Sequence, residues 1–488
     1  MMNIRTLTTN IPRKRVSIIG SGPSGFYTAY HLLKKSKIPL HVTIWEKLPV
    51  PFGLSRYGVA PDHPEVKNCE ETFTQCAEEN IQNNGLHKFE FIGGITIGEQ
   101  ISLQKLISEQ DAVILSYGSS GEHKLNIPGE SDTKGVFTSR EFVSWYNGHP
   151  DYALNPKFMD FDWSHVSKVG IIGNGNVALD ISRVLLSNKI DEIWKKTDIN
   201  PVAISLLQKA PISNVKIIGR RDFIHSKFTN KELRELWALE RYGIRGSISS
   251  EFFDVSKFSS INDRALKRRI EICSEYMKDF SERTKASYKK YEPLELTLDG
   301  STRTWELDYL KAPIKIDKDA NGNIKQLTVR NQLLTDENKL VDDTSKSDIV
   351  YGLDLLITSI GYAGKPMKEF SSLNIKFNKD RVITKDNRVL STSDVAFPRL
   401  YATGWIQSGS QGVIVSTMMN AFNVADTVIA DLSKNDSTTN SQPIDVTNIP
   451  HTTWKDWEEI NKRELDKGKQ SGKPREKFLT SDSMYKHN

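Results

Sequence analysis

The sequence predicts an α/β protein built from two Rossmann-like nucleotide-binding domains, the second inserted between two parts of the first. Three observations predict it. An apolar run enters Gly20-Ser-Gly22-Pro-Ser-Gly25, a helical stretch follows, and a second β-rich run ends at Glu46. The pattern returns as Val169-Gly-Ile-Ile-Gly173-Asn174-Gly175-Asn176-Val177-Ala178, with a later β-rich run ending in Arg220-Arg221. Two late apolar runs, Asp354 to Gly361 and Pro398 to Gly404, then lead the chain back to complete the first domain.

The first unit reads strand (Val16 to Ile19), glycine turn, helix (Phe26 to Lys35) and strand (His41 to Glu46). In G-x-G-x-x-G, Gly20 permits the tight turn, Gly22 lets the backbone approach a pyrophosphate, and Gly25 lets helix and strand pack closely. The pyrophosphate then meets free N–H groups at a helix N-terminus. Glu46 lies 21 residues beyond Gly25, where a carboxylate accepts from ribose hydroxyls. The stretch Pro49 to Pro64 is rich in Pro and Gly, carries Leu54 and His63, and reads as a loop long enough to wrap a ligand. A helix is expected from Glu65 to Asn83, and strands at Phe89 to Ile97 and Ala112 to Ser116. Ile127-Pro-Gly reads as a linker.

In the second unit the strand paired with the motif is expected at Asn214 to Gly219, about 40 residues after the glycines. Arg220-Arg221 stand where the first unit has Glu46. A carboxylate there repels a 2′-phosphate, whereas two guanidiniums grip one through charge-assisted bidentate bonds. The first site is therefore expected to take FAD and the second NADPH. Helical, basic stretches are expected at Asn230 to Tyr242 and Asn262 to Phe280; they carry Arg234, Arg264, Lys267, Arg268 and Arg269, which read either as a solvated face or as a docking surface. Residues 286 to 350 read as β-hairpins, and the apolar run Asp354 to Gly361 as the return to the first domain. After Gly404-Trp405, a helix opening at Gly412 can aim its positive end at a flavin ring. A Ser/Thr/Asn tract, a helix at Trp454 to Lys467 and a basic end, Gly472-Lys-Pro-Arg-Glu-Lys477, close the chain.

Composition narrows the chemistry. The 488 residues are 38% hydrophobic and 26% charged, which suits two large domains. A net charge of +5 does not point to nucleic acid, though a local basic surface can meet an acidic protein. No apolar run nears the ~18 residues of a membrane helix, which leaves at most peripheral membrane association. Cys69, Cys76 and Cys273 form neither C-x-x-C nor a metal-ligand spacing, so no metal site is expected. Val66, Cys69, Phe73 and Cys76 recur at helical spacing and are expected to face a core. Residues 1–14 carry basic residues and threonines and no acid, which fits a mitochondrial targeting segment or a tail leading into the first strand.

The motifs Gly20 to Ala29, Pro51 to Pro64, Gly173 to Asp180, Gly219 to Arg221 with Phe228 to Glu235, Gly404-Trp405 with Gly412 to Ile414, and Gly472 to Lys477 follow one another along nearly the whole chain. In this the sequence resembles the mitochondrial NADPH:adrenodoxin (ferredoxin) reductases, particularly the fungal ones. The resemblance implies a glutathione-reductase-like fold, with an FAD domain at 15–124 and 363–488 and an NADPH domain at 125–362. It implies FAD contacts at Ser24, Glu46, Leu54, Ile95, Trp405, Gly412, Val413 and Ile414. NADPH contacts are implied at Asn174, Gly175, Asn176, Val177, Arg220, Arg221, Glu232 and Gly412. Ser408 and Ser410 depart from the Arg and Pro common in the family.

Such a protein takes a hydride from NADPH onto FAD and passes single electrons to a [2Fe–2S] ferredoxin docked on the basic patch. It is expected to be a monomer in the mitochondrial matrix or on the matrix face of the inner membrane. His63, paired with Asp180, is expected either to position and buffer protons near the flavin or simply to hold its turn. Two alternatives share the nucleotide units: an NADPH-dependent flavin monooxygenase and a redox-sensing protein that binds both cofactors.

Overall fold

The computed structural model describes residues 12–81, 85–410, 412, 414–434 and 441–485. The chain divides into two units, one comprising residues 1–123 with 361–488 and the other residues 124–360.

The first unit is organised on a seven-stranded sheet. Its centre is Lys14–Ile19, flanked in parallel by Leu40–Glu46 and Ala112–Leu115, so that Ile18 lies opposite both Ile44 and Ile114. Lys88–Gly93 extends the sheet on one side and Ala396–Ala402 on the other. These strands are apolar on both faces because helices cover both. The helix Pro23–Lys35 follows the central strand, with proline where a missing N–H does no harm. Beneath it Phe26 stacks on Phe73 at 5.0 Å, and Phe52 meets Trp457 edge-on at 5.5 Å. The expected helix from Glu65 instead divides into a 3₁₀ turn, Pro64–Asn68, and an α-helix, Cys69–Asn80. Pro64 sits at the start of that turn and locks its geometry.

The second unit holds a six-stranded parallel sheet: Val136–Thr138, Leu355–Thr358, Lys168–Ile172, Asn214–Ile218, Arg303–Asp308 and Ile244–Ile248, in spatial order. One sequence expectation is corrected here. Arg303–Asp308 is a sheet strand rather than a hairpin arm, paired in parallel with both Asn214–Ile218 and Ile244–Ile248; its alternation, Trp305 and Leu307 wholly buried and Thr304 and Glu306 not, is one that a hairpin shares. Leu355–Thr358 belongs to this sheet, paired with both Val136–Thr138 and Lys168–Ile172, before the chain crosses into the first unit. The antiparallel elaboration is confined to Lys311–Lys318, Ile324–Leu334, Leu340–Asp342 and Ile349–Gly352. Trp145 stacks between Phe158 at 4.7 Å and Trp163 at 5.1 Å in this core.

Candidate nucleotide-binding sites

Both units place a glycine motif in the same backbone setting. The N–H of Gly20 donates to the Trp45 carbonyl at 2.7 Å, and that of Gly173 to the Ile218 carbonyl at 2.8 Å. Each first glycine is left-handed, with φ of 106° at Gly20 and 122° at Gly173. A Cβ there would sit 2.6 Å from the Ser116 carbonyl oxygen or 2.0 Å from that of Ser359. A Cβ at Gly25 would stand 2.1 Å from the Gly20 oxygen, which accounts for the third glycine.

The middle glycines are different. Gly22 (φ −70°) and Gly175 (φ −102°) have extended backbones that any residue adopts. A Cβ at either would meet no protein atom within 4 Å. Neither packing nor strain requires glycine there; room for another molecule's close approach does. The helices behind them, Pro23–Lys35 and Asn176–Leu186, start without a side-chain cap. Five other helices are capped by Ser102, Thr138, Thr229, Asp263 and Thr453, while Cys69–Asn80 is also uncapped. Uncapped N–H groups facing open space are a ready anion site.

The residues that follow set opposite charge. Glu46 is buried; its Oε2 accepts from the Ser21 N–H at 3.0 Å and hydroxyl at 2.7 Å, and its Oε1 from the Leu48 N–H at 3.0 Å. The carboxylate therefore shapes the glycine loop and keeps acceptor capacity on Oε1. In the second unit Arg220 and Arg221 are exposed just past Asn214–Ile218. Asn176 Oδ1 accepts from the Thr229 N–H at 2.7 Å, and the Asn174 carbonyl from the Lys227 N–H at 3.0 Å. These bonds pin the loop that leads to Glu232, whose Oε2 is buried with no hydrogen-bond partner. Val177 packs partly buried on the core behind the motif.

Around the first motif the structure gathers Ser24, Leu54 and Ile95. The Ser24 hydroxyl bonds the Ser116 hydroxyl at 2.7 Å, and a Cβ on Gly404 would lie 2.5 Å from Ser24 Oγ. Trp405 opens the short helix after Gly404 and is half-buried against Tyr362 at 5.7 Å. Ile95 is buried, its N–H bonded to the Glu46 carbonyl at 2.9 Å. Leu54 lies in the helix Gly53–Tyr57, which abuts the motif: a Cβ on Gly53 would come within 3.1 Å of the Gly22 Cα. Ser408 and Ser410 are absorbed locally, donating to the Gly404 and Tyr362 carbonyls at 3.1 and 2.7 Å. Gly412 is left-handed at φ 87°, and the long helix starts at Ile414 rather than Gly412. Val413 and the targeting stretch up to residue 11 lie outside the described residues.

His63 is buried in the first unit, its N–H bonded to the Ala60 carbonyl at 3.0 Å. Asp180 is on the helix Asn176–Leu186 of the second, and its Oδ1 accepts from Arg183 at 3.0 Å. Arg264 and Lys267 are exposed on the helix Arg264–Tyr276 and Arg234 is half-buried, whereas Arg268 donates to both oxygens of Glu271 at 2.8 Å. Arg269 turns inward to backbone carbonyls, so its guanidinium does not face solvent as a docking group would.

Sequence reasoning missed two supports. Asn420 Oδ1 accepts from the Gly404 N–H at 2.7 Å and the Thr403 hydroxyl at 3.0 Å, fixing the turn before Trp405. The loop that carries Leu54 is anchored by Arg56, 2% exposed, whose Nη2 donates to both oxygens of the fully buried Glu464 at 2.6 Å. The same carboxylate also accepts from Arg475 at 2.9 Å and from the Phe478 N–H at 3.0 Å. The basic end Gly472 to Lys477 is thus part of a clamp; an Arg and a Glu 408 positions apart gave no local signal. Burial pushes the thiols of Cys69 to about 11 and of Cys76 and Cys273 to about 12, so all three stay protonated at neutral pH. Among the described residues no cluster suits a metal ion, and no helix is long and apolar enough to cross a membrane.

Residues 18–83 match the NAD(P)-binding Rossmann-like domain family. The chain is 62% identical to the probable mitochondrial NADPH:adrenodoxin oxidoreductase of Saccharomyces cerevisiae, over 99% of this chain and 98% of that one. It is 34% identical to the Schizosaccharomyces pombe protein of the same name, covering 99% and 97%, and 33% identical to the mitochondrial NADPH:adrenodoxin oxidoreductase of Bos taurus, covering 96% and 91%. Among solved structures it resembles FprA from Mycobacterium tuberculosis in complex with NADPH, with a TM-score of 0.80 and 27% identity over 97% of this chain and 99% of that one.

Proposed function

This chain belongs to the NADPH:adrenodoxin oxidoreductase family, and we propose the residue roles through which it works as an NADPH-dependent, FAD-containing ferredoxin reductase. One observation carries the assignment of sites: two matching glycine-motif frames end in opposite charge, Glu46 in one and Arg220-Arg221 in the other.

In the first unit Gly22 gives FAD's pyrophosphate room and Glu46 takes a ribose hydroxyl. Ser24, Leu54, Ile95, Trp405 and Gly412 to Ile414 surround the rest. In the second unit Gly175 admits the NADPH pyrophosphate, Asn174, Asn176 and Val177 shape its turn, and Arg220 and Arg221 hold the 2′-phosphate. The buried, unpartnered oxygen of Glu232 accepts a nucleotide donor. Bound flavin converts a two-electron hydride donor into a source of single electrons. The protein's own part is positional and electrostatic: it offers uncapped helix N-termini, opposite charges to two phosphate patterns, and thiols that burial keeps protonated.

The acceptor is a [2Fe–2S] ferredoxin of the adrenodoxin type, docking on Arg234, Arg264, Lys267 and Arg268. Arg268 shares its charge with Glu271, so Arg264 and Lys267 carry most of that surface's field. His63 is a positioning group in the loop of the FAD unit, and Asp180 one on the helix behind the NADPH motif. Relatives named as mitochondrial support a mitochondrial protein, in the matrix or on the matrix face of the inner membrane. Those same names favour the reductase over a monooxygenase or a redox sensor.

The test is steady-state reduction of cytochrome c by NADPH with and without an adrenodoxin-type ferredoxin. The account expects a rate that requires the ferredoxin. A rate indifferent to its omission would refute the proposed electron path.

A further inference from the structure

We infer that Arg269 is a positioning residue of the NADPH site, and not part of the ferredoxin-docking surface. This role rests on the assignment of Arg220, Arg221 and Glu232 to NADPH, and Arg269 exerts it through the loop Ser226 to Thr229 between them.

That loop contributes four backbone groups to bonds that alternate in kind along the chain. Its two N–H groups are taken by the glycine motif: Lys227 N–H by the Asn174 carbonyl at 3.0 Å and Thr229 N–H by Asn176 Oδ1 at 2.7 Å. Its two carbonyls, Ser226 and Phe228, are both taken by Arg269, from Nη1 and Nη2 at 2.9 Å each. The Ser226 hydroxyl meets the buried Tyr309 hydroxyl at 3.0 Å. The guanidinium also lies 5.0 Å from the centre of the Phe228 ring. Arg269 and the motif thus grip the loop from opposite sides.

A planar guanidinium meets two carbonyls that point the same way with a rigid fork of parallel donors, which the compact ammonium of lysine lacks. Both bonds are charge-assisted, and the side chain is half-buried, so its loss leaves two carbonyls short of a strong donor. The loop is the direct N-terminal lead of the helix Asn230–Trp237, capped by Thr229, whose first turn carries Glu232. Any slack in Ser226 to Thr229 moves Glu232 against the motif, and frees the chain that starts at Arg221. The same helix that displays Arg264 and Lys267 to solvent thus turns Arg269 to the nucleotide loop.

The experiment compares Arg269→Gln and Arg269→Lys with the wild-type holoenzyme, measuring KM for NADPH, kcat, KM for ferredoxin, and the salt dependence of the last. Arg269→Gln is expected to raise KM for NADPH on the order of tenfold, the loss of about one charge-assisted bond's worth of positioning. Its kcat should change by less than about threefold, with ferredoxin KM and salt slope held. Arg269→Lys, reaching one carbonyl at a time, should fall between, and it serves if the glutamine variant does not fold. A raised ferredoxin KM and flattened salt slope, with KM for NADPH unmoved, would overturn the proposal. If wild-type enzyme itself used NADPH and NADH equally, the nucleotide assignment beneath would fail first and take this proposal with it.

Discussion

Glu464→Gln tests how the Pro51 to Pro64 loop is held. The native carboxylate is fully buried and accepts from Arg56, Arg475 and the Phe478 backbone at 2.6 to 3.0 Å. Glutamine keeps the shape and one acceptor oxygen but removes the charge, leaving Arg56 cationic at 2% exposure. Breaking a buried pair by removing one partner costs about 3–5 kcal/mol, and the retained oxygen places this change near 3. For a folding unit of this size each kcal/mol moves the midpoint by roughly 2–4 °C, so the first unit should melt about 6–12 °C lower. Flavin fluorescence during a thermal ramp reads that unit, since its loss of structure frees the flavin. A pH series adds a signature. Burial alone would raise the Glu464 carboxyl, but Arg56 and Arg475 outweigh it and hold it below the ordinary carboxylate value. A depressed folded value means stability present above the unfolded carboxyl's ~4.3 and lost as pH falls below it. Wild type should lose that increment in acid, and the glutamine variant should have none to lose. A midpoint within about 1 °C of wild type, or an unchanged acid limb, would refute a charge-held loop.

Three further outcomes follow from the same structure. Gly22→Ala meets open space at an ordinary backbone angle, so the flavin-free protein should keep its stability within about 0.5 kcal/mol while flavin affinity falls at least tenfold; calorimetry and flavin titration separate the two, and unchanged affinity would remove the cradle. Arg221→Ala should raise KM for NADPH by about 10–100-fold and barely move that for NADH, since only the former bears the 2′-phosphate; equal shifts in steady-state assays would contradict the assignment. Raising ionic strength from about 0.01 M to 0.15 M shrinks the screening length from ~30 to ~8 Å and should raise the ferredoxin KM on the order of tenfold, and a flat response would count against docking through Arg264 and Lys267.

The two Rossmann frames were legible because they rest on local spacing: Gly20 and Gly173 sit at strand ends whose periodicity announces them. Glu46 and Arg220-Arg221 were legible as charges at a defined place. What was hidden depends on sequence-distant partners. Asn420 reads as a polar residue inside a helix, and nothing near it shows that its oxygen holds Gly404. Gly472 to Lys477 reads only as a basic end, because the pair that draws it in joins Glu464 to an arginine 408 positions away. In Lys267-Arg268-Arg269 three consecutive cations sweep more than half a helical turn, which brings the last of them to the edge of the buried face. The signal was present: Leu266, Ile270 and Cys273 form the apolar stripe, and Arg269 lies beside it. Arg303 to Asp308 reads as a hairpin arm because the same alternation is common to a hairpin and to a sheet strand.

The central claim is that NADPH reduces a flavin in this protein and that the electrons leave singly to a ferredoxin. Anaerobic mixing of the purified holoenzyme with one equivalent of NADPH, then with oxidised [2Fe–2S] ferredoxin, follows both steps in the flavin spectrum. The account predicts bleaching with NADPH, much slower bleaching with NADH, and recovery of the oxidised spectrum as ferredoxin is reduced. Bleaching that ferredoxin fails to reverse would contradict it.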